Sequence, residues 1–246
     1  MLVLLALLAC GKRDGEPLTA DEVVDARRAM ASLPAALRDL QAGRYGQAEE
    51  ALAAVRSALP DAGNGATAAA VLGLAGAEEY RRLVASIETN LGLARFRARR
   101  YPSAIEALER AVRIDPRSRV AWVDLGVALF HAQRFVEASV ALEQARALGA
   151  GGAHLELRAG QAAAYAGEPE AARRALQRAV RLGTTENTVG GRGTALEAQV
   201  SLAELDVAAG DLADARRRLE AVLTETPSDP LPRYRLLGVL ARQGET

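Results

Sequence analysis

The sequence predicts an all-α protein organised as a solenoid of helix–turn–helix units, and three observations lead to this prediction. Alanine, leucine, arginine and glutamate, all strong helix formers, dominate the 246 residues. Runs of β-branched residues, which are typical of strands, are missing, and aromatic residues make up only 4% of the chain. The third observation is an internal repeat with one regular period, which favours an extended array over one or two globular units.

The repeat consists of small and apolar residues that recur at one interval. The columns are Gly92, Gly126 and Gly160; Ala104, Ala138 and Ala172; Leu108, Leu142 and Leu176; and Ala111, Ala145 and Ala179. Because two antiparallel helices approach closely only where side chains are small, the glycine column predicts the crossing of the two helices in each unit. Pro60, Pro116 and Pro227 are expected to end second helices, since the proline ring cannot continue a helix.

The period and these columns resemble the tetratricopeptide repeat, a helix–turn–helix unit of about 34 residues. Trp122, Leu125 and Gly126 match the motif of its first helix, whereas Glu88 replaces the usual aromatic residue one unit earlier. The resemblance implies five repeats, at residues 29–62, 85–118, 119–152, 153–186 and 196–229.

A capping helix is expected after the last repeat, over residues 231–242. Within it, Tyr234, Leu237 and Gly238 have the spacing of a first helix, with Gly238 in the glycine column. The exposed side of the last repeat would then be covered by this single helix.

Local signals predict the segments that lie outside the clear repeats. Thr19 and Glu22 have the spacing of a capping box, which predicts that a helix begins there. Pro34 is expected to interrupt the first helix of the first repeat. Residues 66–84 are expected to be helical, either as an extra helix or as an extension of the next one. The glycine-rich segment 183–194 is predicted to be a loop, either a slack connection or a contact for a partner.

The first nine residues are all apolar, and they are followed by the only cysteine of the chain, Cys10. As a helix they would span about 14 Å, which is too short for the hydrocarbon core of a membrane, about 30 Å thick. Leu7, Leu8, Ala9 and Cys10 resemble the lipobox of bacterial lipoproteins. The resemblance implies that residues 1–9 are a signal peptide and that Cys10 is the site of lipid attachment.

The lipobox resemblance also implies a location. Residues 10–18 would be a flexible tether to a helical repeat domain over residues 19–246. Gly11 stands where an aspartate retains some lipoproteins in the inner membrane, which favours an outer-membrane lipoprotein that faces the periplasm. Signal peptides usually carry Lys or Arg before the apolar run, and none precedes it here. The alternative is therefore a soluble cytoplasmic adaptor with a mis-assigned start.

Charge and residue content argue against several function classes. The chain has 31 Lys plus Arg residues and 31 Asp plus Glu residues, so a nucleic-acid partner is not expected. A single cysteine excludes an internal disulfide and a multi-cysteine metal site. The two histidines, His131 and His154, belong to no known catalytic or metal-binding motif. We therefore expect no enzymatic activity, no cofactor, no metal and no small-molecule substrate.

In tetratricopeptide arrays the first helices line a concave groove that usually binds the ligand. Repeat positions 2, 5, 9, 12 and 13 fall on that face of a first helix. With flanking residues, the partner-binding groove expected here consists of Asn90, Phe96, Arg97, Val123, Phe130, His131, Arg158, Gln161 and Tyr165. Thr89 and Leu157 fall on the same face. The aromatic residues would either contact the apolar side chains of a peptide or pack between adjacent first helices.

Taken together, the two resemblances imply a lipid-anchored periplasmic scaffold. It would bind a protein or peptide partner in its groove and contact the membrane through Cys10. Its expected role is to help assemble an envelope complex, such as pilus, secretion or outer-membrane machinery.

Overall fold

The computed structural model describes residues 18–61, 64–186 and 188–244, which contain twelve α-helices and no strand. The predicted all-α solenoid class is confirmed, since helices pack mainly on helices that are near them in sequence. Cys10 and most of the expected tether lie outside the described residues, and so do Asn187 and Thr246. None of the described helices combines the length and the apolar composition that a membrane crossing requires.

The chain divides into two compact units, Met1–Asp124 and Leu125–Thr246. The helices of the first unit are α1 (Ala20–Gln41), α2 (Tyr45–Ala58), α3 (Gly65–Leu72), α4 (Ala77–Arg97) and α5 (Tyr101–Ile114). The unit boundary falls within α6 (Arg119–His131). The helices of the second unit are α7 (Phe135–Ala147), α8 (Ala153–Tyr165), α9 (Pro169–Thr185), α10 (Val189–Ala209), α11 (Leu212–Glu225) and α12 (Pro230–Gln243).

The glycine column lies where first and second helices cross. A Cβ atom at Gly92 would lie 2.5 Å from Cγ of Leu108, which is closer than two carbon atoms can approach. The same holds in the second unit, where a Cβ atom at Gly160 would lie 2.6 Å from Cγ of Leu176. Each crossing therefore combines one glycine and one leucine, and the glycine allows the two backbones to approach.

Helix α1 begins at the predicted capping box and continues through Pro34. The hydroxyl of Thr19 accepts a hydrogen bond from the Glu22 amide, and the Glu22 carboxylate accepts one from the Thr19 amide. The expected interruption at Pro34 was wrong. Proline removes one helical hydrogen bond, but Leu33 before it and Ala36 and Leu37 after it pack in the same core, which holds the helix together on both sides of the proline.

The segment 66–84 was expected to be either an extra helix or an extension of the next helix, and the structure contains both. Helix α3 is separate, and it ends at Gly73 in the left-handed conformation, with φ of 72°. Helix α4 then begins at Ala77, eight residues before the expected start of the second repeat. Tyr80 in this extension is completely buried, and its hydroxyl donates a hydrogen bond of 2.5 Å to the Pro60 carbonyl. Burial raises the pKa of Tyr80 to about 12.

The prediction of a loop over 183–194 was wrong, because most of this segment is helical. Helix α9 extends to Thr185, and the hydroxyl of Thr188 caps α10 by accepting a hydrogen bond from the Gly191 amide at 2.9 Å. A Cβ at Gly183 would lie 2.4 Å from the Gly191 carbonyl oxygen. These glycines therefore allow α9 and α10 to pack closely rather than making a flexible connection.

Glu88, at the position of the missing aromatic residue, is buried and paired with two arginines. Its carboxylate lies 3.0 Å from Nε of Arg56 on α2 and 3.1 Å from Nη2 of Arg110 on α5. Glu156 holds the same repeat position on α8 and pairs with Arg178 on α9 at 2.8 Å. A carboxylate thus replaces the apolar contact of the aromatic residue with charged hydrogen bonds between helices.

Asp206 on α10 is a third buried carboxylate with this arrangement. It lies 2.6 Å from Nη1 of Arg173 on α9 and 2.7 Å from Nε of Arg218 on α11. The aspartate therefore ties α10 to the second helices of two successive repeats.

Helix α12 has a different register from the one that the sequence suggested. Pro232 and Val239 are its buried residues. They lie five residues before and two residues after Leu237, as buried Leu155 and Ala162 do with respect to Gly160. Leu237, not Gly238, therefore occupies the place of the glycine column.

Candidate functional site

Three aromatic rings form a cluster in the second unit, where the ends of three helices meet. Phe130 lies in the last turn of α6, Phe135 begins α7, and Tyr165 ends α8. The rings of Phe135 and Tyr165 are stacked, with centroids 4.7 Å apart, and Phe130 lies 5.5 Å from Phe135 and 6.0 Å from Tyr165. Such contacts fix the orientation of each ring.

The cluster is partly core and partly surface. Phe130 is half-buried among the other rings, and the guanidinium of Arg158 lies 5.9 Å from its centroid. Tyr165 is 62% exposed although it stacks on Phe135. Phe130 therefore packs between helices, as one of the two interpretations has it, whereas Tyr165 offers a face to solvent.

His131 is exposed beside this cluster, with its ring edge-on to Phe130. Partial burial lowers the pKa of His131, and the positive charge of Arg158 lowers it further. The imidazole is therefore mostly neutral at pH 7, and it contributes hydrogen-bonding groups rather than a positive charge.

A chain of polar side chains continues the surface from α8 to α10. Arg158 donates a hydrogen bond of 2.8 Å to the Gln161 side-chain oxygen. The amide of Gln161 donates to Glu197 at 3.1 Å and to the Ser201 hydroxyl at 3.3 Å. Arg158 and Glu197 are 3.5 Å apart. These contacts orient polar groups on adjacent first helices before any ligand binds.

Glu197 and Ser201 were not among the predicted groove residues. They occupy positions 2 and 6 of the repeat that spans 196–229. Position 2 belongs to the rule that places residues on the groove face, so the signal for Glu197 was present in the sequence, whereas position 6 does not belong to it. We call Phe130, His131, Arg158, Gln161 and Tyr165 the groove surface of the second unit.

The remaining predicted groove residues lie in the first unit. Phe96 is half-buried, and its ring centroid lies 5.7 Å from that of Tyr101. Asn90 donates a hydrogen bond of 2.8 Å to the Ser86 carbonyl within its own helix. Arg97 is exposed and Val123 is half-buried. This part of the predicted groove offers one half-buried ring and one exposed charge.

Asp124 flanks Val123 on α6. Burial raises the pKa of Asp124 to about 6, while the positive charge of Arg97 opposes the shift. The carboxyl group therefore changes its charge just below neutral pH, unlike an ordinary surface aspartate.

Two residues that the position rule puts on the groove face are buried instead. Thr89 donates its hydroxyl hydrogen to the Ala85 carbonyl at 2.8 Å, and Leu157 packs in a core cluster with Leu176 and Leu202. Position 5 thus faces the core in these two repeats.

A hollow of about 480 Å³ lies between α10 and α12 in the second unit. Its apolar wall includes Tyr165, Val207, Leu219, Tyr234 and Leu237. Polar groups at its rim come from Glu204, Arg235 and Arg242, and Arg235 pairs with Glu204 at 2.8 Å. Tyr165 thus borders both the groove surface and the hollow.

Within residues 18–61, 64–186 and 188–244, His, Asp and Glu side chains form no cluster that would hold a metal ion. The groups gathered here are rings, oriented amides and arginines, which suit the binding of a polypeptide.

Comparison with known proteins agrees with this geometry. A sequence model of the tetratricopeptide repeat family matches residues 89–153 and 200–246. No curated protein matches the sequence significantly.

Several solved structures share the fold. A tetratricopeptide repeat protein from Parabacteroides merdae has a TM-score of 0.66 and 14% identity, over 89% of this chain and 75% of that one. MamA has a TM-score of 0.57 and 20% identity, over 65% of this chain and 83% of its own. YrrB, described as a tetratricopeptide repeat protein with an unusual peptide-binding site, has a TM-score of 0.54 and 20% identity, over 65% of this chain and 78% of its own.

Proposed function

Since a model of the tetratricopeptide repeat family matches residues 89–153 and 200–246, we propose that the chain is a lipid-anchored scaffold of the cell envelope that binds a peptide segment of a partner protein on the groove surface. The scaffold would present this segment to an envelope assembly, and it would carry out no chemistry of its own. The lipobox-like residues that end at Cys10 support the anchor. The repeats support the binding of a protein or peptide.

The exposed ring of Tyr165 is the observation that carries the groove assignment. The chain has only five tyrosines and three phenylalanines, and three of these eight rings meet at one surface. A tyrosine that is held by stacking loses little conformational freedom when a ligand covers it, and such residues dominate the energy of many interfaces. YrrB, whose fold is similar, is described as having a peptide-binding site.

The polar side chains beside the aromatic rings would fix the orientation of a bound peptide. Glu197 and Gln161 present hydrogen-bonding groups near the guanidinium of Arg158, whose side chain is 23% exposed. A peptide that places an apolar side chain on Tyr165 can bond its backbone or polar side chains to these groups. Adjacent positions on α8 and α10 would thus provide both the apolar contact and the hydrogen bonds that position the peptide.

Cys10 would hold the groove at the membrane. A single acyl chain gives only marginal binding, whereas the three chains of a mature lipoprotein anchor stably. Anchoring also raises the local concentration of the groove near membrane partners, which strengthens weak binding without new contacts.

The groove is tested by replacing Tyr165 while a matched exposed residue serves as control. Val140 on α7 is 58% exposed and apolar, and it lies outside the groove surface. Partners that co-purify with the tagged chain from detergent-solubilised cells are quantified by mass spectrometry. We expect Tyr165→Ala to reduce the partner about tenfold or more, with Val140→Ala equal to wild type and helicity unchanged in both. Equal recovery with all three would contradict the groove assignment.

The anchor is tested separately with Cys10→Ser. We expect the wild-type chain to yield an N-terminal peptide that begins at an acylated Cys10, and the variant to lose the lipid and its envelope partners. Identical cytoplasmic partners for both would instead favour the soluble adaptor. Because Tyr165 is unchanged in this experiment, failure of the anchor leaves the groove assignment standing.

A further inference from the structure

Helix α12 carries an uncovered apolar face. Leu231 is 50% exposed, Tyr234 is 71% exposed and Leu237 is 60% exposed. They are spaced by three residues and lie on one side of the helix. We call these three residues the α12 face. The last helix of a repeat array usually turns a polar face outward, because the array must stay soluble. Helix α12 is the last helix among the described residues, and the α12 face does not follow this pattern.

The register of α12 shows what is missing from this face. Leu237 follows Ala203 by the same interval that separates Gly126 from Gly160, and it takes the place of the glycine column, as its buried neighbours Pro232 and Val239 show. In the preceding repeats this place faces the second helix of the same repeat, as Gly160 faces Leu176 on α9. No helix among the described residues covers Leu237 in this way.

The crossing pairs also indicate what would fit against Leu237. Gly126 with Leu142 and Gly160 with Leu176 each combine one residue without a side chain and one leucine. At α12 the first helix supplies the leucine. A helix that crosses α12 at the same distance therefore needs a small residue, glycine, alanine or serine, opposite Leu237.

The charges on α12 indicate which kind of helix would bind to the α12 face. All the charged residues of α12 are arginines, at positions 233, 235 and 242, and only Arg235 has a carboxylate partner among the described residues. Arg233 donates to the Pro227 carbonyl, and Arg242 borders the hollow between α10 and α12. Among the residues that the structure describes, two cationic groups thus lie beside the α12 face without an acidic partner, which favours an acidic occupant.

We propose that the α12 face docks an acidic amphipathic helix of another protein, which takes the place of a second helix and sets a small residue against Leu237. A larger side chain of this helix would enter the hollow beside Val207 and Tyr234. Its Asp or Glu residues would pair with Arg233 and Arg242. The α12 face shares no residue with the groove surface, although Tyr165 of that surface also borders the hollow. The substitutions that test the α12 face leave Tyr165 unchanged, so failure of this proposal is distinguishable from failure of the proposed function.

The experiment uses a photo-crosslinking amino acid at position 237 of the full chain in its native cells, with position 140 as the matched exposed control. The crosslinked segment is sequenced by mass spectrometry. We expect a segment with helical apolar periodicity, a small residue within that apolar stripe, and an excess of Asp and Glu. A crosslink to a second copy of this chain, to a basic or non-helical segment, or equal crosslinking at both positions would overturn the proposal.

Binding of the sequenced segment then tests the contacts. A labelled synthetic peptide with that sequence is titrated with the protein, and its fluorescence anisotropy is measured. Leu237→Glu should weaken binding about tenfold or more, while Val140→Glu should leave it unchanged. Arg242→Glu should also weaken it, and reversing the paired acidic residue of the peptide should restore it. Undiminished binding to Leu237→Glu would contradict the docking site even if crosslinking succeeded.

Discussion

Leu125-Gly126 on α6 and Leu237-Gly238 on α12 are the same dipeptide on two first helices, but their surroundings differ. Leu125 is buried, and a Cβ at Gly126 would lie 2.5 Å from Cγ of Leu142. Leu237 is exposed, and a Cβ at Gly238 would meet nothing within 4 Å. The helix that crosses at Gly126 therefore gives the glycine its role, and the dipeptide alone does not.

The largest expected effect comes from placing the α12 residue in the interior crossing. Gly126→Leu forces a side chain into the space of Leu142, and we expect it to lower the free energy of unfolding by about 3 kcal/mol. Gly238→Leu adds the same side chain to open space and should change stability by less than about 1 kcal/mol. Urea unfolding followed by circular dichroism measures both. Similar losses in the two variants would show that the α12 register is misassigned.

Ion pairs of α10 provide the next contrast, because one set joins α10 to interior helices and the other joins it to α12. Asp206 is buried between Arg173 and Arg218, so Asp206→Ala leaves two arginines without their carboxylate. Because both arginines are partly exposed, we expect a loss of about 2 kcal/mol, below the usual cost for a fully buried pair.

The control for Asp206 is the exposed pair of Glu204 with Arg235 on α12. Glu204→Ala should cost less than about 1 kcal/mol, since both partners are solvated. Both values come from the same urea titrations. A loss at Glu204 as large as at Asp206 would mean that α12 is held as an interior helix is.

In the third contrast, alanine substitution at Gly238 and at Gly126 should change the free energy of unfolding in opposite directions. Gly238→Ala removes backbone freedom from the unfolded chain and meets no neighbour, so it should stabilise the protein by about 0.5–1 kcal/mol. Gly126→Ala gains the same helix propensity, but its new methyl group would overlap Leu142. We expect a net loss of about 1 kcal/mol there. Thermal unfolding of the two variants beside wild type distinguishes the signs, and stabilisation by both would contradict the crowding at Gly126.

The same comparison shows what the sequence could predict. The repeat period was enough to place the crossings at Gly92, Gly126 and Gly160, because each repeat imposes the same contact. It was not enough at α12, where a glycine next to a leucine suggested the wrong register. The interval from Ala203 to Leu237 also equals one repeat period. The buried Pro232 and Val239 show that this interval, and not the dipeptide, gives the register of α12.

Other departures have a shared cause, since contacts distant in sequence overrode local signals. Pro34 does not end α1 because the residues beyond it are packed in the core. The glycines of 183–194 fit a loop by composition, but they lie where α9 and α10 touch. Position rules placed Tyr165 on an exposed helix surface, as the structure has it, yet they could not show that Leu157 faces the core.

The smallest expected effect on stability comes from a repeat position that holds an acidic residue on α6 and a basic residue on α12. In the structural register, Asp124 on α6 corresponds to Arg235 on α12. The pKa of Asp124 is raised to about 6 by burial, above its ordinary value of 3.8. The folded protein therefore binds this proton more tightly than the unfolded chain. The resulting stabilisation is fully present below pH 3.8 and is lost as the pH rises through 6.

Asp124→Asn should remove this dependence. We expect the difference in unfolding free energy between wild type and Asp124→Asn to shift in favour of wild type as the pH falls from 7.5 to about 4.5. Taking the difference cancels the titration of His131, whose lowered pKa acts in the opposite direction. Urea titrations at both pH values and equal ionic strength measure it. A difference that does not change with pH would mean that the Asp124 carboxyl is solvated like an ordinary surface aspartate, and that α6 and α12 are equally open at this position.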